Sequence, residues 1–385
     1  VLDWTVPNEW NIKDAYIITP EGKKIAKFKE NNLHVVGYSI PINKTISLEE
    51  LKKKIHTLPE MQNAIPYVTS YYKKYWGFCM SHSQFRKLKK GKYKVFIDSS
   101  LKPGNLVYSD TLIPGRSKKE ILLSTYLCHP QMINNELSGP IAMQLLYKII
   151  KETAPHKYSY RFLICPENIG AAAFLHNSKK KVKNIIAGYI LTCLSCGEEY
   201  TYKKSRRGDT VTDKAALNVL KNSKKKHKIV DFFPDGSDER QFCSPGFNLP
   251  IGLMMRKMYG EFKEYHTSLD NMKLFSVKTL FESVKMHLDL LSSIENNFTP
   301  LARVQYGSPQ LSKSKIKLYG DLMNFRIKKK KEQTRFILES LNLADGSLDY
   351  LDIANKKSFR LIDHLEDIKK LLDSKYLKEI KIKRK

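Results

Sequence analysis

Acidic residues are scarce in this chain of 385 residues. Asp and Glu total 39 against 67 Lys and Arg, a formal net charge of +28. That balance excludes an acidic disordered chain and favours anionic partners such as nucleic acid, an anionic polymer or a membrane surface. Lysine runs at 179–181 and 224–226 read as ordinary solvated lysines, whereas the run at 328–331 adjoins a helical pattern. Cysteine is also scarce. The six are Cys79, Cys128, Cys165, Cys193, Cys196 and Cys243, several of them in apolar runs. This usage excludes a disulfide framework and suits buried thiols in a reducing, cytoplasmic setting. Cys193 and Cys196 form a C-x-x-C without the second pair that a zinc ribbon needs, and they end a strand rather than open a helix. No apolar run reaches the ~18 residues of a membrane-spanning helix. No signal-peptide pattern is read at the start, and the chain opens on Val1 rather than Met, so upstream sequence is expected. What remains, 42% hydrophobic and 28% charged residues, is the make-up of a globular protein of two or three domains.

The stretch around which the chain is organised is 121–140, ILLSTYLCHPQMINNELSGP. Ile121, Leu122, Leu123, Tyr126 and Leu127 form a nearly continuous apolar run, as in a strand covered on both faces. His129 lies just past its carboxyl end, where ligands gather in open α/β sheets. Asn134, Asn135 and Glu136 share the turn that follows. Ser138 is placed to cap a helix carrying Ile141, Leu145, Leu146 and Ile149. A histidine with an acid or amide on one such loop can hold a metal, although a lone loop histidine is more often ordinary.

Before this stretch the character is β. Ile17 and Ile18 lead into a hairpin at Pro20-Glu21-Gly22-Lys23, and 34–42 reads as a strand. Ser47 and Glu50 make a capping box for a short helix over 47–58. Aromatic density from Tyr67 to Tyr108 suggests a small antiparallel unit. From 121 onward strands and helices alternate, which argues for a mostly parallel sheet between helices. Expected strands lie at 158–164, 185–194 and 249–255, and expected helices at 213–220 and 277–291. After Phe298 the composition shifts. Three helical patterns and a basic β tail (Lys378, Lys381, Lys383, Arg384, Lys385) give the layout of a winged helix.

Candidate chemistry falls on four loops: His129 to Glu136, Glu167, Cys196 to Glu199, and Tyr265 to Asn271. Glu167 suits a general base facing a metal-bound water. His266 with Asp270 four residues on suits a ligand and its orienting carboxylate.

Several segments carry a resemblance: DWTVPNEW at 3–10, IPYVTSYY at 65–72, WGFCMSHSQF at 76–85, CHP…LSGP at 128–140, PENIG at 166–170, SRRGDT at 205–210, GSDERQFCSPGFNLP at 236–250 and YGEFKEYHTSLDN at 259–271. The chain resembles the co-catalytic zinc aminopeptidases and, more closely, a bacterial aminopeptidase-like family linked to polysaccharide-biosynthesis loci. The resemblance implies an α/β fold, a zinc-aminopeptidase-like mixed sheet between helices, with a small antiparallel β insertion and a C-terminal winged helix. The expected divisions are 1–58 for the amino-terminal part of the main domain, 59–112 for the inserted β domain, 113–299 for the α/β domain, 300–331 for a linker and 332–385 for the winged helix. It also implies zinc at His129 and His266 and a general base at Glu167. Asp238 and Asp270 are expected behind the ligands.

The carboxylates of that pattern are missing here. The metal-bridging Asp maps to Asn135 and the Glu after the base maps to Asn168. The further Asp maps to Ser195-Cys196-Gly197, which leaves Cys196 as the nearest ligand type. Neutral amides weaken the charge that holds two zinc ions together, so one zinc ion or none is expected. Two functions remain open. One is a zinc hydrolase acting on a small peptide-like or amide substrate, with Arg206, Arg207 and Tyr265 as substrate contacts. The other is a binding or regulatory scaffold in surface-polysaccharide biosynthesis. For the winged helix, protein contact or self-association is favoured over nucleic acid, because its third helix carries Asp363, Glu366 and Asp367.

Overall fold

Every residue of the strand Glu120–Tyr126 is buried, which requires cover on both faces. The computed structural model supplies it. Residues 1–311 and 328–380 are described; part of the expected linker, 312–327, and the basic tail at 381–385 lie outside them. The main sheet has seven strands in the order His227–Val230, Tyr200–Lys203, Ile251–Met255, Ile185–Ile190, Glu120–Tyr126, Ser159–Cys165 and Ser109–Ile113. The four strands from Ile251–Met255 to Ser159–Cys165 run parallel, and an antiparallel pairing flanks them on each side. Side chains alternate between the faces. Ile121 and Leu123 pack with the helices Ser138–Glu152, Val211–Asn222 and Val277–Glu295, through Leu146, Val219 and Leu290. Leu122 points the other way, into a core with Phe174 and Phe242 from the helices Ile169–Asn177 and Glu239–Phe242.

The small β unit is divided differently from the sequence expectation. Strands Lys24–Ile25, Glu9–Ile18, Lys92–Lys102 and Ile42–Ser47 form one antiparallel sheet. Residues 1–58 and most of the expected insertion at 59–112 therefore build a single unit, with its own core of Ala15, Ile17, Val95, Ile97 and Phe78, whereas 109–112 belong to the main sheet. The reason is pairing: Lys92–Lys102 needs a neighbour on each edge, and only the earlier strands supply them. The expected strand over 34–42 is instead a short 3-10 turn, Asn32–His34, followed by isolated bridges from Val35 and Gly37. The hairpin at Ile17 and the Ser47–Glu50 capping box form as read.

At the C-terminus, helices Lys328–Leu343, Tyr350–Lys357 and Leu365–Asp373 share the core of the sheet's helical face through Phe336, Tyr350 and Leu371. The strand Leu377–Ile380 pairs not with a local hairpin partner but with Thr299–Ala302, at the start of the expected linker. Asn218 ties the unit down, donating to Phe359 O (2.8 Å) and accepting from Leu361 N (2.9 Å). It is docked on the α/β core rather than set apart from it. Among the described residues no helix is long and apolar enough to cross a membrane.

Candidate active site

The chain leaves Glu120–Tyr126, passes Cys128 and His129, and makes a π-helical turn, Ile133–Leu137, before the helix Ser138–Glu152. A carboxylate from elsewhere holds that turn. Asp270 Oδ1 accepts from Asn134 N (2.7 Å) and Ile133 N (3.3 Å), and Oδ2 accepts from Asn135 N (2.9 Å). Asp270 thus binds the 133–135 backbone rather than orienting His266. Ser138 does not cap its helix by a side-chain bond. Its hydroxyl donates to Asn134 O and accepts from Leu194 N (3.0 Å), tying the turn to the neighbouring strand end.

His129 is held by Glu136, a carboxylate that the sequence places on the same candidate loop without a role of its own. Glu136 is 1% exposed; Oε1 contacts His129 Nδ1 and Oε2 accepts from Cys128 N (2.8 Å). Such a bond fixes the imidazole's orientation and leaves Nε2 facing outward. Burial disfavours charge on His129, but the Glu136 hydrogen bond and the charges of Glu136 and Glu167 together outweigh it and the pKa is raised. Nε2 lies 3.7 Å from Glu167 Oε2. Burial lifts Glu167 to about 7, against the opposing pull of His129. The His266 ring centre is 5.0 Å from that of His129. His266 stacks on Tyr265 at 3.9 Å, and its buried Nε2 has no hydrogen-bond partner. Burial first, then the His129 charge, lower its pKa to about 4. Tyr67 packs against both histidines, and its amide donates to His266 O (2.9 Å). Through Tyr67 the β unit roofs the site; the IPYVTSYY segment was the signal, and no role was read from it.

The other expected residues scatter. Asn135 is buried beneath the cleft; Nδ2 donates to Tyr126 OH (2.9 Å), and Oδ1 has no partner. Asn168 is exchanged for a metal ligand in sequence only, because its Oδ1 accepts from Arg240 Nε (2.7 Å). Its backbone sits at φ +60, and its N–H donates to Asp238 Oδ1 (2.5 Å). Burial, then the Glu167 charge, push the fully buried Asp238 carboxyl well above the ordinary range. Cys196 is not with the histidines. It lines a separate cavity of about 390 Å³ with Lys257 and Glu264. Arg206 and Arg207 are exposed and line no part of the cleft; Arg206 bonds Asn248 Oδ1 (3.1 Å). The arginine that lines it is Arg240, from the GSDER segment.

The profile of a family described as a domain of unknown function, DUF4910, matches residues 1–297. The chain belongs to that family. A curated Clostridium acetobutylicum protein, provisionally named a polysaccharide biosynthesis protein with an aminopeptidase-like domain, is 44% identical over 370 residues, covering 95% of this chain and 84% of the relative. A crystal structure of a provisionally assigned peptidase from the same organism matches with a TM-score of 0.90 and 42% identity, over 98% of this chain and 85% of that one. A zinc aminopeptidase from Bacillus subtilis has a TM-score of 0.53 at 12% identity, over 76% and 82% of the two chains. The resemblance read from the sequence therefore holds, and the DUF4910 chain has the aminopeptidase-like α/β fold.

A two-zinc centre does not fit these residues. Asn135 brings no charge, Asn168 Oδ1 is engaged by a cation, and Cys196 lies elsewhere. A single ion fits better. His266 Nε2 and Asn135 Oδ1 are buried without partners, and the His129 and His266 ring centres lie 5.0 Å apart. Buried polar atoms left unpaired are costly, and a cation between the two histidines would satisfy His266 Nε2.

Proposed function

We propose that this protein is an amide hydrolase with at most one zinc ion, held by His129, His266 and the Asn135 carbonyl, and with Glu167 as general base. The observation that carries the reading is Glu167: a carboxylate raised to about 7 by burial, 3.7 Å from His129 Nε2. A general base works best with a pKa near the operating pH. A zinc ion there supplies Lewis-acid polarisation of the amide carbonyl. Glu136 keeps the His129 Nδ1 side occupied, so that Nε2 stays turned to the cleft. Glu167 takes a proton from the attacking water and returns it to the leaving nitrogen. Tyr67 and Tyr265 pack the histidines and exclude bulk water from them.

The relative's name supports a place in polysaccharide biosynthesis, and the six free thiols suit a cytoplasmic one. A second reading is a binding scaffold without turnover. The Arg240–Asn168 contact favours it, because it sets a cation where the relatives' pattern has a carboxylate. The docked C-terminal helices suit protein contact in either case.

Metal content by mass spectrometry, with an amide panel, separates the two. The hydrolase reading expects about one zinc per chain, lost in His129→Ala and His266→Ala. Glu167→Gln should keep the zinc and lose turnover by about 10²-fold or more. No zinc uptake and no turnover on the panel would leave the scaffold.

A further inference from the structure

Away from the histidines the cleft wall is aromatic. Trp10 stacks on Tyr38 with ring centres 5.8 Å apart, and Tyr38 meets Tyr71 edge-on at 4.7 Å. Trp4 lines the same cavity, whose volume is about 660 Å³, ordinary for a small-molecule site. Arg240 shares this wall. Its Cζ lies 5.7 Å from the Trp4 ring centre and its Nε is bound to Asn168 Oδ1. Among the described residues no acceptor meets its two terminal nitrogens, so a guanidinium edge is open to a ligand. Among the described residues the only acid lining the cleft is Glu167.

These facts disfavour the substrate the fold alone would suggest. The free amino terminus of a peptide is a cation, and here it would meet an arginine instead of a carboxylate. Flat aromatic faces suit the C–H faces of sugar rings. The paired terminal nitrogens of arginine match the two oxygens of a carboxylate. A singly charged group also tolerates the nearby Glu167 better than a dianionic phosphate. The net charge of +28 favours anion approach from a distance.

We infer that the cleft takes a carboxylate-bearing N-acylated sugar, with the ring on the aromatic wall, the carboxylate on Arg240 and the amide turned toward His129 and Glu167. The last contact rests on the hydrolase reading; the first two do not.

The test uses the full chain stripped of metal by a chelator. Two of the three tryptophans, Trp4 and Trp10, line the cleft, so intrinsic fluorescence reports binding. The probes are the methyl glycoside of N-acetylneuraminic acid, its carboxyl methyl ester and leucinamide. The acid should bind saturably and the ester about tenfold or more weakly, the worth of one charged hydrogen bond. Arg240→Gln should erase that preference and Arg240→Lys should keep part of it. Equal binding of acid and ester, tighter binding of leucinamide, no saturable binding of the acid, or a preference surviving in Arg240→Gln would each overturn the inference. If Arg240→Gln does not fold, the acid-to-ester ratio of the unaltered protein decides. Because metal is absent throughout, failure of the hydrolase reading shows as missing turnover in untreated protein and leaves this result standing.

Discussion

Lys203 and Glu239 are both fully buried, with Nζ 2.7 Å from Oε1. Lys203 also donates to Asp235 O (2.6 Å) and Tyr259 OH (3.0 Å), and its ammonium lies 3.6 Å from the Phe233 ring centre. Glu239 is less well served, because its other oxygen has no partner. Lys203→Met keeps the volume but leaves the whole Glu239 carboxylate buried and alone. Breaking a buried pair in this way costs about 3–5 kcal/mol. Glu239→Met should cost less, because the ammonium keeps two oxygen acceptors and a ring face. Replacing both ends with apolar groups is often close to neutral, so the double variant should fall at least about 2 kcal/mol short of the sum of the singles. Urea unfolding with an unchanged slope reads all four corners of this cycle. Strict additivity, or a Lys203→Met cost under about 1 kcal/mol, would refute the reasoning. The pair also bears on the cleft: Glu239 opens the short helix Glu239–Phe242 that presents Arg240. Lys203→Met should therefore weaken binding of the acidic sugar while leaving the His129–Glu136 contact in place.

His287 is fully buried and bonds only through Nδ1, which donates to Ser283 O (2.8 Å), and burial lowers its pKa from the usual 6.5 to about 4. The unfolded chain takes up this proton near 6.5 and the fold only near 4, so its contribution is intact above 6.5 and falls by about 3 kcal/mol between 6.5 and 4; His287→Asn should flatten that part of the stability–pH curve, and an unchanged curve would reject the assignment. Asn135→Asp places a carboxylate that is 1% exposed beside the Tyr126 hydroxyl. Without metal it should lower the thermal midpoint and with zinc raise it above that of the unaltered protein, whereas a midpoint insensitive to zinc would mean that the cleft no longer holds a cation.

Much of the α/β core could be read in advance because its signals are local. The run from Ile121 to Tyr126 is apolar but for Ser124 and Thr125, so a doubly covered strand was its natural fate, and the periodic helix Val277–Glu295 followed from Leu280, Val284 and Leu291. The strand Tyr200–Lys203 and the edge strand His227–Val230 were missed because they are four residues long and carry lysines and a histidine; their pairing comes from the sheet beside them and not from their own pattern. The division of the β unit failed for the same reason. Nothing in Lys92–Lys102 says that its neighbours are Glu9–Ile18 and Ile42–Ser47.

The site shows the same limit more sharply. His129, Glu167 and His266 were found by residue type and loop position, and they meet in one cleft. Asp270 was assigned to its neighbour in sequence, His266, whereas in space it binds the amides of 133–135, 135 to 137 residues away. Cys196 was chosen because it sits where a ligand is expected, but it lines another cavity, which neither histidine lines. Sequence spacing cannot rank Asn135 against Glu136, since the two are adjacent. Side-chain direction in the turn decides it, sending Asn135 beneath the cleft and Glu136 back to His129. This last point shapes the chemistry. The carboxylate kept at 136 orients a histidine, while the one missing at 135 would have carried a second metal ion. The cleft therefore keeps the part that aims an imidazole and the carboxylate proposed to move a proton but lacks the charge that would hold a pair of ions, and Arg240 adds a positive group on the wall. That combination is coherent for one ion and an acidic ligand, and incoherent for two ions and a peptide amino terminus.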